Sequence, residues 1–144
     1  MQAIRSFLIV LFMAVASTAV AQQTISISEL VNTKWRVENN WISDYEEYTL
    51  TEIIWKGKDG SFFKSPYYLT DTPVTSYDKS AFDYSKVGKT KKGSYMVSIN
   101  EREGVVCCVS IESFDKKKGV LVIKVVTQGL IGASGAIERY KLVK

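Results

Sequence analysis

Residues 104–143 read GVVCCVSIESFDKKKGVLVIKVVTQGLIGASGAIERYKLV, and the pattern of this stretch decides the fold. It divides into three extended runs, Val105 to Phe114, Val120 to Thr127 and Ala136 to Val143, the first two joined by the charged turn Asp115 to Gly119. In the first run Val105, Cys107, Val109 and Ile111 fall on one face, with Cys108, Ser110 and Glu112 on the other. In the second, Leu121, Ile123 and Val125 alternate with Val122, Lys124 and Val126. Successive side chains of a strand point to opposite faces, so a period of two marks half-buried strands and an all-β chain.

Working outward, five further runs are expected to extend the sheet. Lys34 to Trp41 places Trp35 and Val37 on one face. Glu47 to Trp55 changes phase near Glu52, which predicts a β-bulge. Ser61 to Leu69 is the third strand, bulged or unpaired at Pro66, whose nitrogen cannot donate to a ladder. Residues 71–87 hold the poorest pattern and read as a weak fourth strand, whereas Ser94 to Asn100 alternates cleanly through Tyr95, Val97 and Ile99. Ser26 and Glu29 stand at capping-box spacing, predicting one helical turn before the sheet. Eight consecutive strands match the size at which an up-and-down antiparallel sheet closes into a barrel and removes its own edges.

The first residues carry an address. Met1 to Arg5 is positive, Ser6 to Ala14 is apolar but too brief to span a bilayer, and Ala19-Val20-Ala21 is the small-x-small pattern of signal cleavage. The expectation is a signal peptide over residues 1–21 and one domain over residues 22–144, exported to a periplasmic or extracellular place with no transmembrane anchor after cleavage. The net charge of +4 falls by one when Arg5 leaves, and such a mild balance does not indicate nucleic acid. Cys107 and Cys108 are adjacent, and a bridge between neighbours would break the strand. They read as a buried Cys107 and an outward Cys108, the latter open to reaction or to pairing with another chain.

Alternating strands sort the connections into two ends. At one, Lys56, Lys58, Lys86, Lys89, Lys91, Lys92 and Lys116 to Lys118 outweigh Asp59 and Asp115. At the other, Asp44, Glu46, Glu47, Asp71, Glu101 and Glu103 outweigh Arg102, and the exposed apolar residues Trp41, Tyr45, Leu130 and Ile131 gather there. The acidic end is expected to be the mouth of a cavity of about 300 Å³ or more, favouring a neutral or cationic amphipathic ligand. Candidate rim and cavity residues are Trp41, Tyr45, Tyr48, Tyr67, Tyr68, Leu130 and Ile131.

Catalytic chemistry has little to work with. The chain holds no histidine, the commonest base and metal ligand. Asp44, Glu46 and Glu47 lack the spacing and central glycine of a calcium loop, and Gly129, Gly132 and Gly135 lie between strands rather than before a helix. No cofactor, metal or enzymatic activity is expected. A second reading makes the rim an interaction surface for a protein or glycan.

Thr33-Lys34-Trp35 opening the first strand after a helical turn, the eight-strand meander and the closing run Arg139-Tyr140-Lys141-Leu142 resemble the lipocalin-like barrels, especially small exported proteins of bacteria. In that family the opening motif is Gly-x-Trp, and an arginine near the last strand packs over the tryptophan. The resemblance implies a pair between Trp35 and Arg139 at the closed end, a cation–π contact worth about 0.5–2 kcal/mol. Thr33 departs from the motif, standing where the family has glycine.

Overall fold

The computed structural model describes residues 22–38, 43–129 and 134–144; the expected signal peptide lies outside them. A two-residue strand β1 (Ile25–Ser26) leads directly into the single turn α1 (Ile27–Leu30). The wall follows: β2 (Thr33–Val37), β3 (Ser43–Tyr48), β4 (Glu52–Gly57) and β5 (Phe62–Thr70). After a long excursion come β6 (Lys92–Gly93), β7 (Tyr95–Asn100), β8 (Val105–Asp115), β9 (Val120–Val125) and β10 (Ile137–Val143). All pairings are antiparallel, and β10 returns to β2, so β2, β3, β4, β5, β7, β8, β9 and β10 form a closed eight-stranded barrel. The all-β, eight-stranded antiparallel barrel expected from the alternation is the one observed, and its architecture is lipocalin-like, as the resemblance implies. No helix among the described residues is long and apolar enough to cross a membrane.

The eight strands are not the eight that the periodicity marks. The run from Glu47 to Trp55 is two strands, because the chain reverses at Thr49-Leu50-Thr51 instead of bulging. Thr49 holds this reversal: its N–H donates to the Glu52 carbonyl at 2.9 Å, and its hydroxyl oxygen accepts from the Glu52 N–H at 2.9 Å. The phase change near Glu52 is thus a tight hairpin. Conversely, residues 71–87 form no wall strand. They make a strap with two 3₁₀ turns, Lys79–Ala81 and Tyr84–Lys86, each started by an aspartate side chain, Asp78 or Asp83, that accepts the N–H two residues on. The two errors cancel in the count.

The strap leaves β5 and runs over the outer face of β5, β7 and β8. It bridges to β8 at Asp78 opposite Val105, then returns to pair as β6 with β1. Beneath it Tyr68, Phe82, Val97, Ile99, Val106 and Cys108 form a second apolar cluster, outside the barrel wall. Pro66 is neither bulged nor unpaired as expected: it stands in register opposite Glu52 in the β4–β5 ladder. Only on the side toward β7 does the ladder start after it, at Tyr67 opposite Ser98, so its missing donor breaks neither pairing.

The closed end is filled. Ile27 and Leu30 of α1 pack there with Trp35, Leu121 and Phe114, the ring centroids of Trp35 and Phe114 lying 5.7 Å apart. Glu29 Oε2 accepts from the Ser26 N–H at 2.9 Å, so the spacing that predicts a helical turn does hold one. Thr33 explains its own departure from glycine. Its hydroxyl donates to the Leu30 carbonyl and accepts from Trp35 Nε1 at 2.8 Å, which satisfies the buried indole N–H inside the closed end.

Correct strand assignment also corrects the sorting of connections. Lys58 and Asp59 lie at the mouth, Asp71 at the closed end, and Glu46 and Glu47 lie within β3. Lys89, Lys91, Lys92 and Lys116 to Lys118 remain at the closed end; Glu101 and Glu103 remain at the mouth, where Glu38, just after β2, joins them. The lysine bend before β7 and the acidic bend after it occupy opposite ends of that strand.

Candidate functional site

Above the packed floor the interior opens into a cavity of about 390 Å³. Its depth is set by residues that share an inward parity on successive strands: Tyr48, Ile53, Met96, Val109, Ile123 and Tyr140. Nearer the mouth, Trp55 and Phe63 face each other across the β4–β5 ladder and stack, with centroids 5.6 Å apart and planes 12° apart. Ser65, Ser98 and Asn100 add hydroxyl and amide groups to one wall.

The polar centre comes from a repeated tripeptide. Glu46-Glu47-Tyr48 on β3 and Glu138-Arg139-Tyr140 on β10 are both Glu-x-Tyr, and β3 and β10 are the two neighbours of β2. The period of two turns both glutamates and both tyrosines inward. Each phenol donates to the glutamate of its own strand: Tyr48 to Glu46 Oε2 at 2.9 Å and Tyr140 to Glu138 Oε2 at 2.7 Å. Tyr140 also acts on Glu46, so both carboxyl groups share its neighbourhood.

Glu46 is 3% exposed. Burial, set against the lowering effect of the two phenols and reinforced by the nearby Glu138 charge, pushes its carboxyl up to about 8. It is therefore mostly protonated at neutral pH. Burial likewise holds the Tyr48 and Tyr140 phenols well above their ordinary range.

The cysteines lie on opposite sides of the wall. Cys107 lines the cavity, and Cys108 lies beneath the strap, fully buried, with its sulfur accepting from the Val74 N–H at 3.5 Å. Burial pushes both thiols up to about 11. The outward, reactive Cys108 expected from the alternation is outward from the barrel but covered, which removes both its access and its thiolate.

Of the sequence-derived site residues, Tyr48 lines the cavity. Tyr67 points inward on β5 but lies in the packed interior, its ring edge-on to Tyr48 at 5.6 Å and its hydroxyl donating to the Thr49 carbonyl at 2.7 Å. Tyr68 is on the other face of β5, under the strap, 5.1 Å from Phe82. Tyr45 has the parity opposite to Glu46 and Tyr48 and stands on the outer wall, with Lys34 Nζ 5.3 Å from its ring centroid. Trp41, Leu130 and Ile131 lie outside the described residues.

Trp35 and Arg139 are not paired. Trp35 is fully buried inside the floor, whereas Arg139 alternates with the inward Tyr140 and reaches Glu38 on the outer surface at 3.8 Å. Lys141 joins the same glutamate at 3.1 Å. The residues that sequence reasoning missed, Glu46 and Glu138 above all, were legible in one signal: the same Glu-x-Tyr triplet in two strands. Among the described residues no cluster of three or more histidine, cysteine, aspartate or glutamate side chains is placed to hold a metal ion. No protein-family model matches the chain, and no curated protein or solved structure matches it either.

Proposed function

We propose that the barrel binds a small apolar or amphipathic molecule in the cavity beneath its acidic mouth, without catalysis, in a periplasmic or extracellular setting. The observation that carries this reading is the contrast between the two ends of one interior. The floor around Trp35 is packed solid, yet about 390 Å³ remains open above Tyr48 and Tyr140. A volume of this size, apolar with a few convergent polar groups, is the ordinary form of a small-molecule site. Packing for stability alone would fill it, because each unfilled methylene costs dispersion contacts.

Native mass spectrometry of the purified protein tests the proposal, with a bound small molecule as the expected result. Ser98 projects into the cavity, so Ser98→Trp should fold, fill the space and release that molecule. Retention of the same mass by a folded Ser98→Trp protein refutes the cavity as the site.

A second reading takes the mouth as a docking rim for a protein or glycan. It draws on Phe62, 60% exposed beside the β4–β5 turn, and Ile137, 67% exposed at the start of β10. Phe62→Ser together with Ile137→Ser should then abolish partner capture while leaving small-molecule retention intact. Unchanged capture excludes this reading.

A further inference from the structure

Resting on that reading, we infer that the cavity selects an organic cation: a small amine with an apolar body, its ammonium group seated between Glu46 and Glu138. Three carboxyl side chains line the cavity, those of Glu46, Glu103 and Glu138, and no lysine or arginine does among the described residues. An interior of one sign with low-dielectric walls concentrates ligands of the other sign.

The hydrogen-bond inventory points the same way. Glu46 and Glu138 present four carboxyl oxygens, whereas the two phenols beside them supply one proton each and the protonated Glu46 one more. The centre holds more acceptors than donors. A hydroxyl brings one donor to it and a carboxylate none, but an ammonium brings up to three together with a positive charge. The apolar body is accommodated by Ile53, Met96 and Val109 below and by the stacked Trp55 and Phe63 toward the mouth. Aromatic faces beside an entry path are themselves attractive to a cation.

Proton balance accompanies the binding. Free Glu46 carries a proton at neutral pH, and an ammonium beside it favours the carboxylate, so the proton leaves to solvent as the cation seats. The groups facing Glu46 are Tyr48, Tyr140, Glu138 and Cys107; burial keeps both phenols and the thiol protonated across this range. Glu46 is therefore the group that exchanges the proton.

Octylamine, octan-1-ol and octanoate share one apolar body, and isothermal titration of each into the full chain tests the inference. Octylamine should bind at least about tenfold more tightly than octan-1-ol, with octanoate the weakest. Its affinity should climb between about pH 6 and about pH 8 as proton release becomes easier. Glu46→Gln should bring the amine-to-alcohol ratio close to one and flatten the pH dependence. Glu138 lies at the exposed mouth, so Glu138→Gln supplies a second test of the ratio if the buried substitution unfolds the chain. Equal binding of amine and alcohol, tightest binding of octanoate, or a ratio untouched by either substitution overturns the inference while leaving the cavity a ligand site. Binding of none of the three removes the site and the inference together.

Discussion

The Tyr48 hydroxyl donates to Glu46 Oε2 at 2.9 Å inside a barrel that leaves Glu46 only 3% exposed. Two residues apart on one strand, they share a face, and closure of the wall around them removes the water that would otherwise solvate the charge. The carboxyl of Glu46 consequently titrates at about 8 in place of 4.5. An acid raised in this way binds its proton more readily in the folded chain than in the unfolded one. Its contribution to stability is complete below about pH 4.5 and is lost as pH rises through about 8. Within that window the slope from this one group is about 1.4 kcal/mol per pH unit at most. Calorimetric melting should show wild-type Tm falling from pH 5 to pH 8, with Glu46→Gln flattening the fall. Parallel curves for the two proteins would refute the assignment.

Gly93 lets the strap close against the wall. A Cβ built there would lie 2.5 Å from both the nitrogen and the oxygen of Thr70, backbone atoms that cannot rotate away. Gly93→Ala should therefore force β6 off β5 and cost about 1–3 kcal/mol, read as a lower urea midpoint. Gly60→Ala is the control for crowding, since nothing lies within 4 Å of its Cβ position. Its cost is confined to the strained backbone at φ 83° and should be about 1 kcal/mol. Equal losses at the two glycines would exclude the steric account.

Phe82 anchors the strap by packing between Tyr68 at 5.1 Å and Tyr84 at 4.8 Å. Phe82→Ala should destabilise the protein by about 3 kcal/mol and loosen the cover over Cys108 before the barrel itself opens. In a Cys107→Ser background, a thiol reagent should then label Cys108 many times faster than in the parent with Phe82 intact. An unchanged labelling rate would mean that the strap does not open independently.

Trp35 and Arg139 should differ sharply in their cost. Trp35→Ala removes the largest side chain of the floor and should cost about 3–5 kcal/mol in denaturant unfolding. Arg139→Ala breaks an exposed pair with Glu38 that solvent screens, leaves Lys141 in place beside that glutamate, and should change stability by less than about 0.5 kcal/mol. A large loss for Arg139→Ala would refute the reading of its pair with Glu38 as a screened surface contact.

Thr33→Ala strips the floor of the group that satisfies both the Trp35 indole and the Leu30 carbonyl. With two buried polar atoms left unpaired, the expected loss is about 2–3 kcal/mol, whereas Thr33→Ser, which keeps the hydroxyl, should recover most of it. Equal losses for the two variants would assign the role of Thr33 to its methyl group.

Alternation, turn residues and the capping box by themselves determined that this chain is a β-sheet protein with a helical turn at one end, because strand period and turn chemistry are local properties of the backbone, whereas closure through the β10–β2 pairing is not. The single-phase run at β9 and the lysine turn before it were readable without knowing their neighbours. Tertiary structure decided which face looks inward. In β7 the apolar set Tyr95, Val97 and Ile99 is the outer one, buried by the strap, and the inner set carries Met96, Ser98 and Asn100. The more polar face of β7 lines the cavity while the strap covers its apolar face, so alternation alone cannot say which set looks inward. The carboxyl centre was hidden for a related reason. Glu46 reads as part of an acidic surface turn until β10 brings Tyr140 and Glu138 beside it from the far end of the chain, and only closure of the wall turns a common surface residue into a buried acid.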